Sequence, residues 1–323
     1  MRDLKPLLAL LVGCVAALAP ALSTAQPYPS KPLRMIVPQG AGGSTDSLAR
    51  SLAKAMGEAL GQPVIVDNRA GAGGILGVGE AQKAPADGYT LLFGSNTTMA
   101  ANTFLYKSVP YDPLKDFVPI SAIATVQFAL LTSSDVPATT ISQLVTLAKA
   151  KPGSLNYGAG TGSGLLCAEI FKSAARVDIT KVPYRSTAQA LNDLLGGQIQ
   201  LVCEPLTTSV QHVKTGRLRA LGVMSSKRST FLPEWPTVAE GGVRGAEYDA
   251  WTALYLPAGA PKEVQARLVS VVGDILRNKE FQDRIKSAAW ELMPIGPEWL
   301  DQRMRAEMGQ LAKTVKEANI APE

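Results

Sequence analysis

Short apolar runs alternate with amphipathic stretches along the chain, and this alternation limits the fold more than any other feature. Leu33–Val37 is apolar, a glycine-rich turn follows it, and Leu48, Leu52, Met56 and Leu60 then recur every four residues. A spacing of four places these side chains on one face of a helix, whereas the short apolar run is typical of a buried strand. Repeated units of strand, turn and helix predict an α/β fold with a mainly parallel sheet flanked by helices.

The units fall into two groups, which predict two lobes. A chain of 323 residues is long for a single core, so two domains are the ordinary solution. Apolar passages at residues 120–131 and 248–256 separate the groups and predict two crossings between the lobes. We therefore expect one lobe from residues 27–124 plus 250–323 and a second lobe from residues 125–249.

The N-terminal segment predicts export. Arg2 and Lys5 precede an apolar run over residues 7–22, and a small-residue site follows that ends at Ala25. This pattern is typical of a signal peptide, so residues 1–25 are expected to be removed. The Leu-Val-Gly-Cys segment that ends at Cys14 also fits the pattern of lipoproteins, which are cut just before a lipidated cysteine. A lipid anchor at Cys14 is therefore the alternative. We expect the cut after Ala25, because apolar residues continue beyond Cys14.

Charge and cysteine content narrow the partners of the chain. Without residues 1–25, the chain keeps 30 basic and 26 acidic residues, and the basic residues are scattered. A nucleic-acid surface would need them clustered, so we expect no nucleic-acid partner.

Cys167 and Cys203 remain after cleavage. They either form a disulfide, as an oxidising compartment allows, or lie buried as two small apolar side chains.

The sequence lacks the residues that most catalytic or metal sites need. His212 is the only histidine, so histidine-rich metal sites and multi-histidine catalysis are excluded. No Gly-Lys pair provides a P-loop, and Ser163 stands one position out of register for a nucleophile elbow. A pair of Cys167 or Cys203 with His212 stays open as the enzymatic alternative. We expect no cofactor, no metal and no catalysis.

Two loops of small and hydroxyl residues carry the chemistry that is present. Residues 40–46 and 158–164 each follow a predicted strand and open a predicted helix, with Thr45 or Asp46 expected to cap the first helix. Helix N-termini offer free N–H groups and bind anions without a basic side chain. The alternative is that the glycines only form tight turns and the hydroxyls only cap helices. The predicted contacts of a small carboxylate ligand are Ala41, Gly42, Gly43, Ser44, Thr45, Asp46, Ser95, Thr97, Thr161, Gly162, Ser163 and Thr187.

Several longer motifs resemble one known family. These are the run Tyr-Pro-Ser-Lys-Pro-Leu-Arg-Met-Ile-Val-Pro from residue 28, Ala-Gly-Gly-Ser-Thr-Asp from residue 41, Asn-Arg-Ala-Gly-Ala-Gly-Gly from residue 68, Pro-Ala-Asp-Gly-Tyr-Thr-Leu-Leu from residue 85 and Asp-Leu-Leu-Gly-Gly-Gln from residue 193. Together with shorter matches they cover essentially the whole chain after the signal peptide. The sequence resembles the Bug family, the extracytoplasmic solute receptors of tripartite tricarboxylate transporters that were first described in Bordetella.

The resemblance implies a two-lobed periplasmic binding protein of the flytrap type, similar to type II. It also implies that ligand carboxylates are held largely by backbone amides and ordered water from both glycine loops, and that membrane transporter subunits are partners. We expect the receptor to be a monomer. A periplasmic hydrolase or transferase on the same fold is the alternative, since fold does not fix function. The ligand stays open among dicarboxylates, tricarboxylates, aromatic acids, acidic amino acids and nicotinate-like acids.

Two positions depart from the family pattern and bear on ligand choice. Leu165 stands where the family commonly has histidine, which makes that wall of the site more apolar. Glu204 stands where the family commonly has aspartate, and its longer carboxyl group either meets a ligand amine or excludes a second ligand acid. Both departures are also compatible with neutral drift.

Overall fold

The computed structural model of the protein describes residues 28–184, 186–317 and 322. The predicted signal peptide, its cleavage after Ala25 and the alternative anchor at Cys14 lie outside these residues. Among the described helices, none combines the length and the apolar character that crossing a bilayer requires.

The first group of elements leads from the first strand into a long crossing strand. Its elements are β1 (Leu33–Val37), α1 (Ser44–Leu60), β2 (Val64–Asn68), a 3₁₀ turn (Ala72–Gly74), α2 (Ile75–Gln82), β3 (Thr90–Ser95), a π-helical turn (Thr97–Ala101), α3 (Asn102–Leu105) and β4 (Phe117–Ser133). Strand β1 lies between β2 and β3 and is parallel to both.

The second group alternates strands and helices. Its elements are α4 (Ile141–Ala150), β5 (Asn156–Ala159), α5 (Gly162–Ala175), β6 (Thr180–Pro183), α6 (Thr187–Leu195), β7 (Leu201–Pro205), α7 (Leu206–Lys214) and β8 (Leu218–Val223). Strand β5 is parallel to both β6 and β7.

The chain then returns to the first group and ends in helices. The returning elements are β9 (Asp249–Pro257), α8 (Lys262–Arg277), α9 (Lys279–Ser287), β10 (Glu291–Leu292) and α10 (Pro297–Glu317). Strand β9 lies antiparallel between β3 and β4. The sheet order is therefore β2-β1-β3-β9-β4-β7-β5-β6, with β8 and β10 also paired to β4.

Strand β4 belongs to both halves of the sheet. Its residues from Phe117 to Gln127 pair with β9, and its residues from Phe128 to Ser133 pair with β7 and β8. All of these pairings are antiparallel, whereas β1 and β5 pair in parallel with their neighbours, so each half-sheet is mixed. The reason is that β4 and β9 carry the chain between the halves and run against the local strand–helix units.

Helix α1 shows how the apolar stripe sets the packing. Leu48, Leu52 and Met56 are buried as their spacing predicts, and the helix ends at Gly61 in the left-handed conformation. The prediction that Thr45 or Asp46 caps its start is wrong. Gly43 occupies the N-cap in extended conformation and no side chain caps the helix.

Candidate functional site

The first glycine loop lies at the carboxyl end of β1 and is open. Residues 41–43 are exposed, and a Cβ atom added at Gly40 or Gly42 would meet nothing within 4 Å. Ser44 and Thr45 form the first turn of α1, where backbone N–H groups have no intrahelical acceptor. The loop therefore has both the room and the free backbone donors that an anion would need.

Asp46 shapes this loop from behind. Its buried carboxylate accepts hydrogen bonds from the Gly42 N–H (2.9 Å), Arg50 Nε (3.0 Å) and Asn68 Nδ2 (2.9 Å). Asn68 Nδ2 also donates to the Gln39 carbonyl at 3.1 Å. Burial alone would raise the pKa of Asp46, but these donors hold the pKa below its usual value. The Asp46 carboxylate and the Gly42 N–H are thus committed to the loop itself.

The second glycine loop lies at the carboxyl end of β5. The Gly164 N–H donates to Thr161 Oγ1 at 3.1 Å, so the Thr161 hydroxyl caps α5. Gly162 and Ser163 follow as the first residues of the helix and are partly exposed. Their N–H groups are the donors that this loop can present to a ligand.

A third helix start joins the second loop. The side chain of Ser186 accepts a hydrogen bond from the Gln189 N–H at 3.4 Å and caps α6, which begins at Thr187. A Cβ atom at Gly160 would lie 2.3 Å from the Ser186 carbonyl carbon. Gly160 is therefore required by the close approach of two backbones, which is a structural reason for glycine at this position.

Glu204 lies on β7 beneath these helix starts. Its side chain has no exposed surface, and Thr187 Oγ1 lies 3.3 Å from Glu204 Oε1 and 3.2 Å from Oε2. Burial raises the pKa of Glu204 to about 8, and the Thr187 hydroxyl offsets this only in part. Burying an ionised carboxylate costs several kcal/mol, whereas a helix N-terminus returns at most about 2 kcal/mol. The neutral acid is therefore the favoured form near pH 7.

The two halves touch between these loops. Thr97 Oγ1, in the π-helical turn after β3, lies 2.6 Å from Ser163 Oγ, in the first turn of α5. A Cβ atom at Gly162 would lie 3.0 Å from Thr97 Cγ2, so only glycine fits there without displacing Thr97. The structure thus brings Thr97 and the second loop together, although they are far apart in sequence.

Two other predicted ligand contacts, Ser95 and Leu165, make contacts within their own halves. The Ser95 N–H donates to Thr98 Oγ1 at 3.0 Å, and the two hydroxyl oxygens lie 3.3 Å apart. These bonds close the turn between β3 and the π-helical turn. Leu165 is partly buried and packs against the main apolar core.

A buried polar cluster next to Thr97 was not predicted. Asn96 Nδ2 donates to Glu307 Oε1 at 3.0 Å, and Trp251 Nε1 donates to Glu307 Oε2 at 2.5 Å. Asn96 Nδ2 also lies 3.4 Å from the Tyr248 hydroxyl, whose pKa burial raises to about 12. The only sequence signal was position, because Asn96 follows a predicted strand and Tyr248 opens the second predicted crossing.

The cysteines form a disulfide. Cys167 of α5 and Cys203 of β7 are bonded, with their Cα atoms 5.9 Å apart. This settles the question that the sequence left open, and it removes the thiolate that a cysteine–histidine pair with His212 would need. Within the described ranges, no group of three or more His, Cys, Asp or Glu side chains could hold a metal ion.

A surface groove of about 730 Å³ lies elsewhere, between α1, α8 and α9. Two ion pairs lie within it, Lys54–Glu58 (3.8 Å) and Arg284–Glu280 (3.1 Å). The groove receives none of the strand ends that carry the two loops, so it is not the candidate site.

A family profile matches most of the chain. The profile is described as "Tripartite tricarboxylate transporter family receptor" and matches residues 48–316. Among solved structures, Rpa4515 of R. palustris with adipate is 34% identical, with a TM-score of 0.86 over 92% of this chain and 100% of that chain.

Two further solved structures are similar to the protein over most of its length. The periplasmic binding protein BugD is 33% identical, with a TM-score of 0.82 over 92% of this chain and 100% of that chain. MatC (Rpa3494) from Rhodopseudomonas palustris, with bound malate, is 28% identical, with a TM-score of 0.81 over 89% of this chain and 100% of that chain.

These likenesses confirm the predicted fold class and the predicted resemblance. BugD is a periplasmic binding protein, Rpa4515 is in complex with adipate and MatC holds malate, and the matched family is one of transporter receptors, not of enzymes. The protein belongs to the tripartite tricarboxylate transporter receptor family, which includes the Bug proteins.

Proposed function

We propose that this protein is a periplasmic receptor that binds a small dicarboxylate between its two halves and delivers it to membrane subunits of a tripartite transporter. The observation that carries the proposal is the 2.6 Å contact between Thr97 and Ser163, because it joins strand ends of both halves at one place. Rpa4515 with adipate and MatC with malate support the dicarboxylate class.

The two halves act as lobes formed by residues 27–124 plus 250–323 and by residues 125–249. Support comes from β4, which changes its pairing partner between Gln127 and Phe128, and from β9, which begins at Asp249. These positions lie at the two predicted crossings. Rotation of the lobes about them opens and closes the site.

Each lobe contributes one anion-binding helix start. The N–H groups of Ser44 and Thr45 serve one carboxylate, and those of Gly162 and Ser163 serve the other. A ligand with two acidic groups therefore bridges the lobes and favours the closed form. Tricarboxylates, aromatic acids and acidic amino acids are the other members of the ligand class that the same donors accept.

A proline at the first position of α1 tests the role of the backbone donors. Ser44→Pro removes one N–H but suits the helix start, because proline is well tolerated there and Gly43 is already extended. Losing one hydrogen bond to a charged group predicts an affinity for adipate or malate lower by about 10- to 100-fold. The matched Ser44→Ala variant keeps the N–H and separates loss of the hydroxyl from loss of the donor. Isothermal titration calorimetry measures both. Equal affinities for the two variants would contradict the proposal.

Export and oligomeric state complete the proposal. We expect cleavage after Ala25, a periplasmic location and a monomer. Intact mass of the protein from the periplasmic fraction of its natural host and its elution on size exclusion test all three, and a diacylated species that begins at Cys14 would contradict the cleavage.

A further inference from the structure

We propose that Glu204 sets the ligand chemistry accepted at Thr187. As a neutral acid, Glu204 donates its proton to Thr187 Oγ1, which makes the Thr187 hydroxyl a hydrogen-bond donor for a ligand carboxylate. Glu204 is a positioning residue, since it has no exposed surface and acts through Thr187. The inference rests on the proposed function and narrows its ligand class to acids with a carboxylate, and not an amine, at this end of the site.

The argument follows from counting protons between the two side chains. Thr187 has one hydroxyl proton, and its Oγ1 lies within hydrogen-bond distance of both oxygens of Glu204. An ionised Glu204 would accept a hydrogen bond from the Thr187 hydroxyl. Thr187 would then present only oxygen lone pairs to the site, which suits an ammonium group of a ligand. A neutral Glu204 supplies the proton for this contact itself, so the Thr187 proton is free to point at a carboxylate.

The surroundings favour the neutral form. Ala129 pairs with Glu204 on β4, Gly164 lies beside Oε1 and Thr187 lies above it, and none of these three residues carries a charge. Burial holds the pKa of Glu204 at about 8, so the acid is mostly protonated at neutral pH.

The charged groups on the same elements are engaged or distant. On α5, Glu169 forms an ion pair with Lys172, and on α6, Asp193 accepts a hydrogen bond from the Tyr184 hydroxyl. His212 and Lys214 lie in the last turn of α7. Arg185 precedes the α6 cap in sequence and lies outside the described residues.

The inference predicts proton-linked binding. Only protein with neutral Glu204 binds the carboxylate well, so the apparent affinity for adipate or malate falls by roughly 30-fold between pH 7 and pH 9.5. Proton uptake on binding rises over the same range from about 0.1 to about one proton per site. Calorimetry in buffers of different ionisation enthalpy measures both quantities.

Three variants assign the effect. In Glu204→Gln, the amide still donates to Thr187 but cannot titrate, so proton uptake disappears and the ratio of affinities at the two pH values falls to near one. Thr187→Val also abolishes the pH dependence, because the relay is lost. His212→Gln removes the only histidine, outside the site, and keeps the wild-type pH profile. A pH dependence that persists in Glu204→Gln would overturn the inference.

Malate and aspartate form a matched ligand pair, because they differ in a hydroxyl and an ammonium group. If Glu204 is instead a counter-ion for an amine, Glu204→Gln weakens aspartate more than malate, and wild-type affinity for aspartate rises with pH. Either result would overturn the inference.

An infrared measurement tests the inference without any ligand. The difference spectrum of the wild type and Glu204→Gln should show the carbonyl band of a protonated carboxylic acid at pH 7 and lose it at pH 9.5. The same spectrum is measured for Arg185→Gln. Absence of the band from the wild type at pH 7, or its appearance only after the Arg185→Gln substitution, would overturn the inference even if no tested acid binds. Absence of binding by adipate, malate and aspartate with the band present would instead count against the proposed function.

Discussion

Single side chains around the site serve mainly to shape the loops, and backbone groups are left for the ligand. Asp46 holds the first loop, and the hydroxyls of Thr161 and Ser186 cap α5 and α6. Because these side chains are committed, the donors that remain are the N–H groups of the first helical turns. This is the chemical basis of the proposed carboxylate binding without a basic side chain.

Replacing Asp46 by asparagine is predicted to destabilise the fold by about 1–3 kcal/mol at pH 7, because the Gly42, Arg50 and Asn68 donors lose a charged acceptor. The lowered pKa of Asp46 means that its contribution is present above the unfolded pKa of about 3.9 and is lost as pH falls through the folded pKa. Thermal unfolding should therefore show a difference from wild type that shrinks between pH 7 and pH 3.

Asp274→Asn is the matched control for this prediction. Asp274 is an exposed carboxylate paired with Arg277 at 3.0 Å, and such surface pairs contribute about 0–1 kcal/mol. Equal loss of stability in the two variants would show that Asp46 does not hold the loop.

The sequence predicted the two glycine loops, but not the distant side chains that lie beside them. The loops were identified because glycine, hydroxyl residues and a helix start are adjacent in the chain. Asn96 and Glu307 stand 211 positions apart, and no local pattern relates them. Asp46 was predicted as a cap of α1, but its carboxylate instead accepts hydrogen bonds from Gly42, Arg50 and Asn68 of β2.

At the scale of elements, the second loop depends on close contact between the starts of α5 and α6. Gly160→Ala would place a Cβ atom 2.3 Å from the Ser186 backbone, so we expect α6 to shift, with lower stability and weaker ligand binding. Gly309→Ala, on the exposed side of α10 with nothing within 4 Å, should instead stabilise the protein by about 0.5–1 kcal/mol. Thermal unfolding compares them, and a Gly160→Ala variant as stable as wild type would refute the packing argument.

The disulfide fixes α5 to β7 and so fixes the second loop above Glu204. Its two cysteines are 36 positions apart, which predicts a loss of about 3–4 kcal/mol in Cys167→Ala/Cys203→Ala. Chemical denaturation measures the change. A variant with unchanged stability would mean that the bond constrains neither the folded nor the unfolded chain.

Elements were predicted well where a single period dominated, as in α1 with its stripe every four residues. Strand direction was less accessible to sequence. Strands β4 and β9 were recognised as apolar crossings, but their antiparallel pairing follows from where the chain enters and leaves each half. Such long-range pairing leaves no mark in the local pattern.

For the whole molecule, two halves share β4 and β9 and meet again at the candidate site. One continuous apolar cluster includes buried side chains of both halves, such as Leu52 and Phe171. The Phe128 ring also packs edge-to-face on Tyr248 at the crossing, with centroids 5.3 Å apart. The proposed motion of the halves would therefore pivot at this crossing and open the contact of Thr97 with Ser163.

The central claim is that the ligand enters and leaves only when this contact opens, and a cross-linked pair tests it most directly. In Thr97→Cys/Ser163→Cys the new side chains replace hydroxyl oxygens 2.6 Å apart, so oxidation should join the halves. The native disulfide has no exposed surface and should survive mild reductant, and wild type taken through the same cycle is the control.

The measurement is retention of adipate or malate through dialysis before and after reduction of the new bond. We predict that protein loaded before oxidation keeps its ligand, that protein oxidised while empty fails to bind, and that mild reductant restores exchange in both. An oxidised variant that exchanges ligand as fast as the reduced one would contradict binding between the two halves.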